Sequence, residues 1–198
     1  MERETYHHGD LKQALIEAGI TILKEEGVGA LTLRSAARAA GVSHSAPYAH
    51  FTDKQALLAG ISTRGFLNLQ DQLTSTTAQF SMAPKDLLIE IGWAYVQFAI
   101  SEPALFKIMF AGILEDEHSY PKFMATVRQT YHHLVNVVET CQSAGVLPQG
   151  DPEKMAIPIW SLVHGFVSLY LERQFPGNMV EGHQLKELLK SSLNLVSK

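Results

Sequence analysis

Apolar residues recur every three to four positions along most of the chain, and no stretch alternates apolar with polar as a half-buried strand does. Leu11, Leu15, Ala18 and Ile22 line one face of a first helix predicted over about Leu11–Glu26, with Asp10 and Gln13 as its capping box and Gly27 as its stop. Thr32 is placed to cap a short second helix ending at Gly41, and Ser43 a third of about two turns. Thr52 or Asp53 caps a long fourth helix running to about Thr76. Lys85–Ser101 is apolar nearly all round, with Leu88, Ile91, Tyr95 and Phe98 on one face and Ile89, Trp93, Val96 and Ile100 on another, which suits the middle of a bundle. A short helix follows from Pro103 to about Phe110. The next spans about Lys122–Ser143 with Met124, Val127, Tyr131, Leu134 and Val138 inward. Asp151 and Pro152 open another, and Leu185, Leu188, Leu189, Leu193 and Val196 mark a last one over about Glu181–Val196. The expectation is an all-α fold of about nine helices.

Composition adds limits. With 198 residues, 46% of them apolar, the chain can bury a sizeable core. Its single cysteine, Cys141, rules out an intrachain disulfide and a cysteine-rich metal site, and within an apolar helical pattern it reads as packing. The charged start "MERETYHHGD" has no apolar region behind it, so it does not read as a signal peptide. No apolar run is expected to reach the ~18 residues of a membrane span, which makes the cytoplasm the default location. Neither "EDEH" at Glu115–His118 nor the pair His132-His133 has metal-ligand spacing, because adjacent helical residues point about 100° apart. No metal and no cofactor is expected. No nucleophile–base pair, paired-carboxylate motif or phosphate loop appears either, which argues against an enzyme.

The net charge of −4 argues at first against nucleic acid. It is unevenly spread. Up to residue 64, seven Lys/Arg (Arg3, Lys12, Lys24, Arg34, Arg38, Lys54, Arg64) balance seven acids (Glu2, Glu4, Asp10, Glu17, Glu25, Glu26, Asp53), so the N-terminal third is neutral and the deficit lies beyond it. Within that third, "LTLRSAARAAGVSHSAPYAHFTDKQALL" (Leu31–Leu58) joins two short helical segments through "AAGVS", in the manner of a helix-turn-helix. Gly41 supplies the left-handed backbone of the turn, and Ala36, Ala37 and Ala40 keep the second helix thin. The third helix would show Ser43, His44, Ser45, Tyr48 and His50 outward, small and polar enough to approach base edges. Thr32 and Arg34 at the start of the second helix, and Lys54 at the start of the fourth, are placed to hold phosphates, separating positioning from reading. Tyr6, His7 and His8 either lie along the duplex backbone or form a polar terminus. Pro47 forfeits the first intrahelical bond of the third helix and pushes Ala46 off helical angles, so that helix starts late or distorted. Which of His44, Ser45 and Tyr48 touches bases is left open by this.

That segment, with "YHHGDLKQALIEAGITILKEEGV" before it, resembles the DNA-binding domain of the TetR family of bacterial transcriptional regulators over roughly the first 65 residues. The likeness is carried by Gly41-Val42-Ser43, Tyr48, His50-Phe51 and Lys54. Further on, "AYVQFAISEPALFKIMF" and "IWSLVHGFVSLYLE" look like a C-terminal domain known by its Trp-His-Gly signature, here Trp160, His164 and Gly165. The resemblance implies a reader at 1–52, a connecting helix over about 53–76, and an effector-binding and dimerisation domain over 77–198. It implies a homodimer through the last two helices, a near-palindromic double-stranded operator and release by a small, apolar or aromatic effector. Trp93, Phe106, Met109, Phe110, Tyr131, Trp160 and His164 are candidates for the effector pocket, and equally for core packing. Pro158 should kink its helix, and Gly165 is a candidate notch for a close helix crossing. A DNA-binding regulator without an effector, or an activator, is the alternative reading.

Overall fold

The computed structural model describes residues 8–175 and 183–195. Among them are eight α-helices and no strand: α1 (His8–Glu25), α2 (Leu33–Ala39), α3 (Lys54–Phe80), α4 (Pro84–Ser101), α5 (Pro103–Phe110), α6 (Pro121–Ser143), α7 (Pro152–Leu171) and α8 (His183–Asn194). Two 3-10 turns, Ala46–Ala49 and Glu117–Ser119, complete the set. Tyr6, His7, Glu181 and Val196 lie outside the described residues. By packing, the chain divides into two compact units: the chain up to Phe66 with Ala104–Val127, and Leu67–Pro103 with the residues from Arg128 on.

The first unit is built around Leu15, Leu31, Leu57 and Ile61, all without exposed surface. Gly19 lets α1 approach α3, since a Cβ there would stand 2.6 Å from Ile61 Cδ1. Beyond them, Phe66, Phe106, Phe110 and Phe123 form an aromatic group, with Phe66 edge-on to Phe110 at 5.3 Å and to Phe123 at 5.9 Å between ring centroids. Thr32 caps α2 as its sequence requires. Its hydroxyl accepts the Ser35 N–H at 2.9 Å while the Thr32 N–H donates to the Ser35 hydroxyl at 2.8 Å, a reciprocal box. Thr32→Ala is expected to cost about 1 kcal/mol of stability, read as a shift in the urea midpoint that Thr32→Ser does not reproduce. Asp53 caps α3 by accepting the Ala56 N–H at 2.8 Å.

Three local expectations are corrected. Helix α1 opens at His8, so Asp10 stands inside its first turn, and the Gln13 amide donates to Glu17 instead of reaching back to a cap. Helix α3 runs on to Phe80, past the expected end at Thr76, whose hydroxyl donates to the Gln72 carbonyl within the helix. The third element is not a two-turn α-helix capped by Ser43. It is the 3-10 turn Ala46–Ala49, and Ser45 at its cap makes no side-chain capping bond.

In the second unit, α4 packs against α7 and α8. The close approach falls at Gly92, where a Cβ would lie 3.1 Å from Leu193 Cδ1 and 3.5 Å from Val163 Cγ2. Gly165 has no heavy atom within 4 Å of its would-be Cβ, so the notch expected there belongs to α4 instead. Lys186 of α8 reaches Glu90 of α4 at 2.6 Å. Cys141 is buried, and its thiol, donating to the Pro84 carbonyl at 3.5 Å, is pushed up to about 11 by desolvation. Contrary to the sequence expectation, α7 is, by length and composition alone, long and apolar enough to cross a membrane. Most of it is not buried within the chain, and Ile157, Trp160 and Leu169 stand exposed along it.

Candidate nucleic-acid interface and aromatic cluster

The end of α2 sets the direction of the polar segment that follows. Gly41 takes φ +69°, the Gly41 N–H donates to the Arg38 carbonyl at 3.2 Å and the Val42 N–H to the Ala37 carbonyl at 3.0 Å. This pair of bonds is the Schellman closure that a glycine at this place allows. Ala36 and Ala37 are fully buried, so the chain beyond the turn lies close to α2. The Ser43 carbonyl then accepts the Ala46 N–H at 3.0 Å, and the Ser45 carbonyl the Tyr48 N–H at 3.2 Å. The Pro47 carbonyl accepts from both His50 and Phe51 at 2.9 Å. Pro47 and Phe51 are buried beneath, while Ser43, His44, Ser45 and Tyr48 face out, Tyr48 with 56% of its surface exposed. The Ser43 and Ser45 hydroxyls lie 3.2 Å apart. The result is an uncharged, hydrogen-bonding surface on a short turn.

Around it the flanking candidates differ in what they have free. Arg34 is exposed on the first turn of α2. The Thr32 hydroxyl is spent on its cap, which leaves that residue a positioning part. Lys54 donates to the Val28 carbonyl at 2.9 Å, tying the start of α3 to the loop after α1. His50 is half-buried, and its Nε2 is closed off from solvent with no hydrogen-bond partner. Lys12, not singled out from the sequence, holds its ammonium 5.5 Å from the Phe51 ring centre.

The seven effector candidates fall in two sets, one per unit. Phe106 and Met109 are buried and Phe110 half-buried in the first unit, where a Cβ on Gly65 would come within 2.8 Å of Met109 Cγ. In the second unit, Trp93 lies under the Lys186 ammonium at 6.0 Å. Tyr131, Trp160 and His164 form a ring cluster, with Trp160 edge-on to Tyr131 at 6.2 Å and to His164 at 6.0 Å. Tyr95, read from the sequence only as a face residue, is the hub of this cluster. Its hydroxyl lies 2.8 Å from His164 Nδ1 and accepts the Trp160 indole N–H at 3.4 Å. The tautomer of His164 sets which of the two donates in the Tyr95–His164 bond, the phenol hydroxyl to a bare Nδ1 or an Nδ1–H to the phenol oxygen. Burial favours the neutral form of both, raising the Tyr95 phenol well above its ordinary range and lowering His164. The signal available in the sequence was a phenol on an apolar face, which needs a partner when buried.

His133 is also lowered, chiefly by desolvation, although the Leu73 carbonyl opposes the shift; its Nε2 lies 2.9 Å from the Thr77 hydroxyl. Both imidazoles thus hold fewer protons folded than unfolded once the pH falls below the ordinary value of 6.5. Their contribution to stability is therefore complete above that value and is lost as the pH drops through it. The urea midpoint is expected to fall more steeply between pH 7.5 and 5.5 for the native chain than for the double variant His133→Gln/His164→Gln; equal slopes would contradict the assignment. Among the described residues, no group of three or more His, Cys, Asp or Glu is arranged to hold a metal ion.

Known proteins match this architecture along most of its length. The sequence profile described as bacterial regulatory proteins, tetR family, matches residues 15–61, and that described as tetracyclin repressor-like, C-terminal domain, matches residues 88–193. The chain is 24% identical over 181 residues to the HTH-type transcriptional regulator AcrR of Shigella flexneri, covering 87% of this chain and 82% of that one. It is 25% identical over 99 residues to the uncharacterized HTH-type transcriptional regulator YobS of Bacillus subtilis, spanning about half of each (50% and 51%). A solved structure of a protein of unknown function from Rhodococcus sp. RHA1 superimposes with a TM-score of 0.83 at 26% identity, over 99% of this chain and 100% of that one.

Proposed function

The chain belongs to the tetR family of bacterial regulatory proteins and is a DNA-binding transcriptional regulator, and from that premise we propose that it is a homodimeric repressor released from a near-palindromic operator by a small, largely apolar effector. The observation that carries the dimer is the outer surface of α7 and α8, where Ile157, Leu169 and Leu188 stay exposed at 54%, 48% and 39%. Large aliphatic side chains on adjoining helices are what a twofold, self-complementary helical interface covers. Such a dimer presents two reading turns about one DNA turn apart.

In this reading residues 1–52 are the reader, 53–76 the connector and 77–198 the effector and dimerisation domain. Ser43, His44, Ser45 and Tyr48 make up the exposed surface that the turn offers to the duplex, and Arg34, with Lys54 through the protons it does not give to the Val28 carbonyl, holds phosphates. Thr32 positions the start of α2 through its cap, and the half-buried His50 supports the turn. Trp160, His164 and Gly165 support reading the C-terminal segment as the Trp-His-Gly type, with the Tyr95-centred cluster as the polar end of an otherwise apolar effector site. Effector binding favours a conformation whose reading turns no longer fit the operator, by a differential affinity of a few kcal/mol. A cytoplasmic location follows from this role.

Selection from a pool of random duplexes tests the proposal. The expected outcome is an inverted repeat with half-sites about one helical turn apart; a single half-site, or no enrichment over bulk DNA, refutes it. On the selected site, Arg34→Ala should weaken binding to all sequences alike and reduce the salt slope by about 1. An unchanged slope of log affinity against log salt, titrated between about 50 and 200 mM, removes Arg34 from the phosphate contacts.

A further inference from the structure

We infer that Pro47, which is buried and faces away from the readable surface, is the residue that decides which side chains of the turn read bases. The inference rests on the reading of this turn as the DNA reader. An α-helix beginning at Ser43 would close its first bond from the residue 47 N–H to the Ser43 carbonyl. Proline has no such N–H. In the structure that carbonyl is taken by Ala46 at 3.0 Å, one residue too early for an α-helix. The same i to i+3 step recurs from Tyr48 to Ser45 at 3.2 Å and from His50 to Pro47 at 2.9 Å. The segment therefore winds as a 3-10 turn over Ala46–Ala49, and the Pro47 carbonyl joins it to the buried Phe51.

The winding changes which residues stand together. At 3.0 residues per turn, positions three apart eclipse, so Ser45 and Tyr48, joined by their i to i+3 bond, form one row; His44, in the turn just before the 3-10 segment, would stand about 120° from Tyr48 on the same winding. In an α-helix, His44 would lie only about 40° from Tyr48, and Ser45 about 60° to the other side. The two geometries thus offer a duplex different sets: a serine–tyrosine row in this chain, a histidine–tyrosine–serine face in its α-helical alternative. Pro47 touches no base in either. It acts as a positioning residue for specificity.

Two full-length variants test this. Pro47→Val keeps most of the buried volume and restores the N–H; Pro47→Ala restores the N–H and favours helix. Each is carried with the native chain through selection from random duplexes, with circular dichroism and a urea midpoint as controls. Both variants are expected to change the preferred bases at the same positions of the half-site, each binding its own selected site about tenfold more tightly than the native one. An unchanged consensus with a uniform loss of affinity would show Pro47 to be packing alone and overturn the inference. Loss of folding in both variants would overturn it as well, since Pro47 would then be required for the domain and not for its reading geometry. Failure of the native chain to enrich any sequence is a separate outcome, which removes the DNA-reading role of the turn and this inference with it.

Discussion

Ile157→Glu combined with Leu188→Glu is expected to leave the chain folded but monomeric, and to weaken operator binding by about a hundredfold or more. Both side chains are exposed within the chain, at 54% and 39%, so a carboxylate there reaches water in the monomer and costs little packing. In a twofold assembly through this surface the same carboxylates would be buried in an apolar seam. An unpaired buried charge is costly. The loss in DNA binding follows from valency: a dimer seats its second reader at high effective concentration once the first is bound, and a monomer cannot. Sedimentation equilibrium reads the mass and fluorescence anisotropy on a selected duplex reads the affinity. A variant that stays dimeric would move the interface elsewhere on the chain. A monomeric variant that binds as tightly as the native protein would separate DNA recognition from dimerisation.

Tyr48→Ala should reduce operator affinity by a factor of about ten to a hundred, on the order of 1–3 kcal/mol, with the thermal midpoint little changed. The residue is 56% exposed, and its backbone N–H, bonded to the Ser45 carbonyl at 3.2 Å, survives truncation of the side chain. The fold therefore has little stake in the ring, whereas a groove-facing tyrosine contributes both stacking area and a hydroxyl. Tyr48→Phe divides the two: a loss as large as that of alanine assigns the effect to the hydroxyl, a small loss to the ring. If alanine binds like the native chain, Tyr48 is not at the interface.

What could be read ahead of the structure was what local chemistry decides. Thr32, Gly41, Asp53 and Asp151 act through neighbours within five residues, and each does what its position in the sequence requires. Asp10 shows where such reasoning fails, because an acidic residue is as acceptable inside a first turn as at its cap, and only the helix start at His8 separates the two. Pro47 announced a distortion but not its form, a 3-10 turn over Ala46–Ala49. Contacts between distant positions left no trace: Lys54 to the Val28 carbonyl across 26 residues, Tyr95 to His164 across 69. Residues 104–127 likewise pack with the N-terminal segment, although their composition matches the helices around them. The apolar character of α7 was visible, but the periodicity of a helix does not say which of two apolar faces its own chain covers.

The burial of Cys141 has a practical consequence. With its thiol pushed up to about 11 by burial, little of it is the reactive thiolate at neutral pH, and the sulfur is enclosed as well. A maleimide-linked spin label would therefore attach only to a cysteine placed by design, for instance by Ser45→Cys, without first removing the native one. Paired labels in a dimer would then report the separation of the two turns directly, in the presence and absence of candidate small molecules.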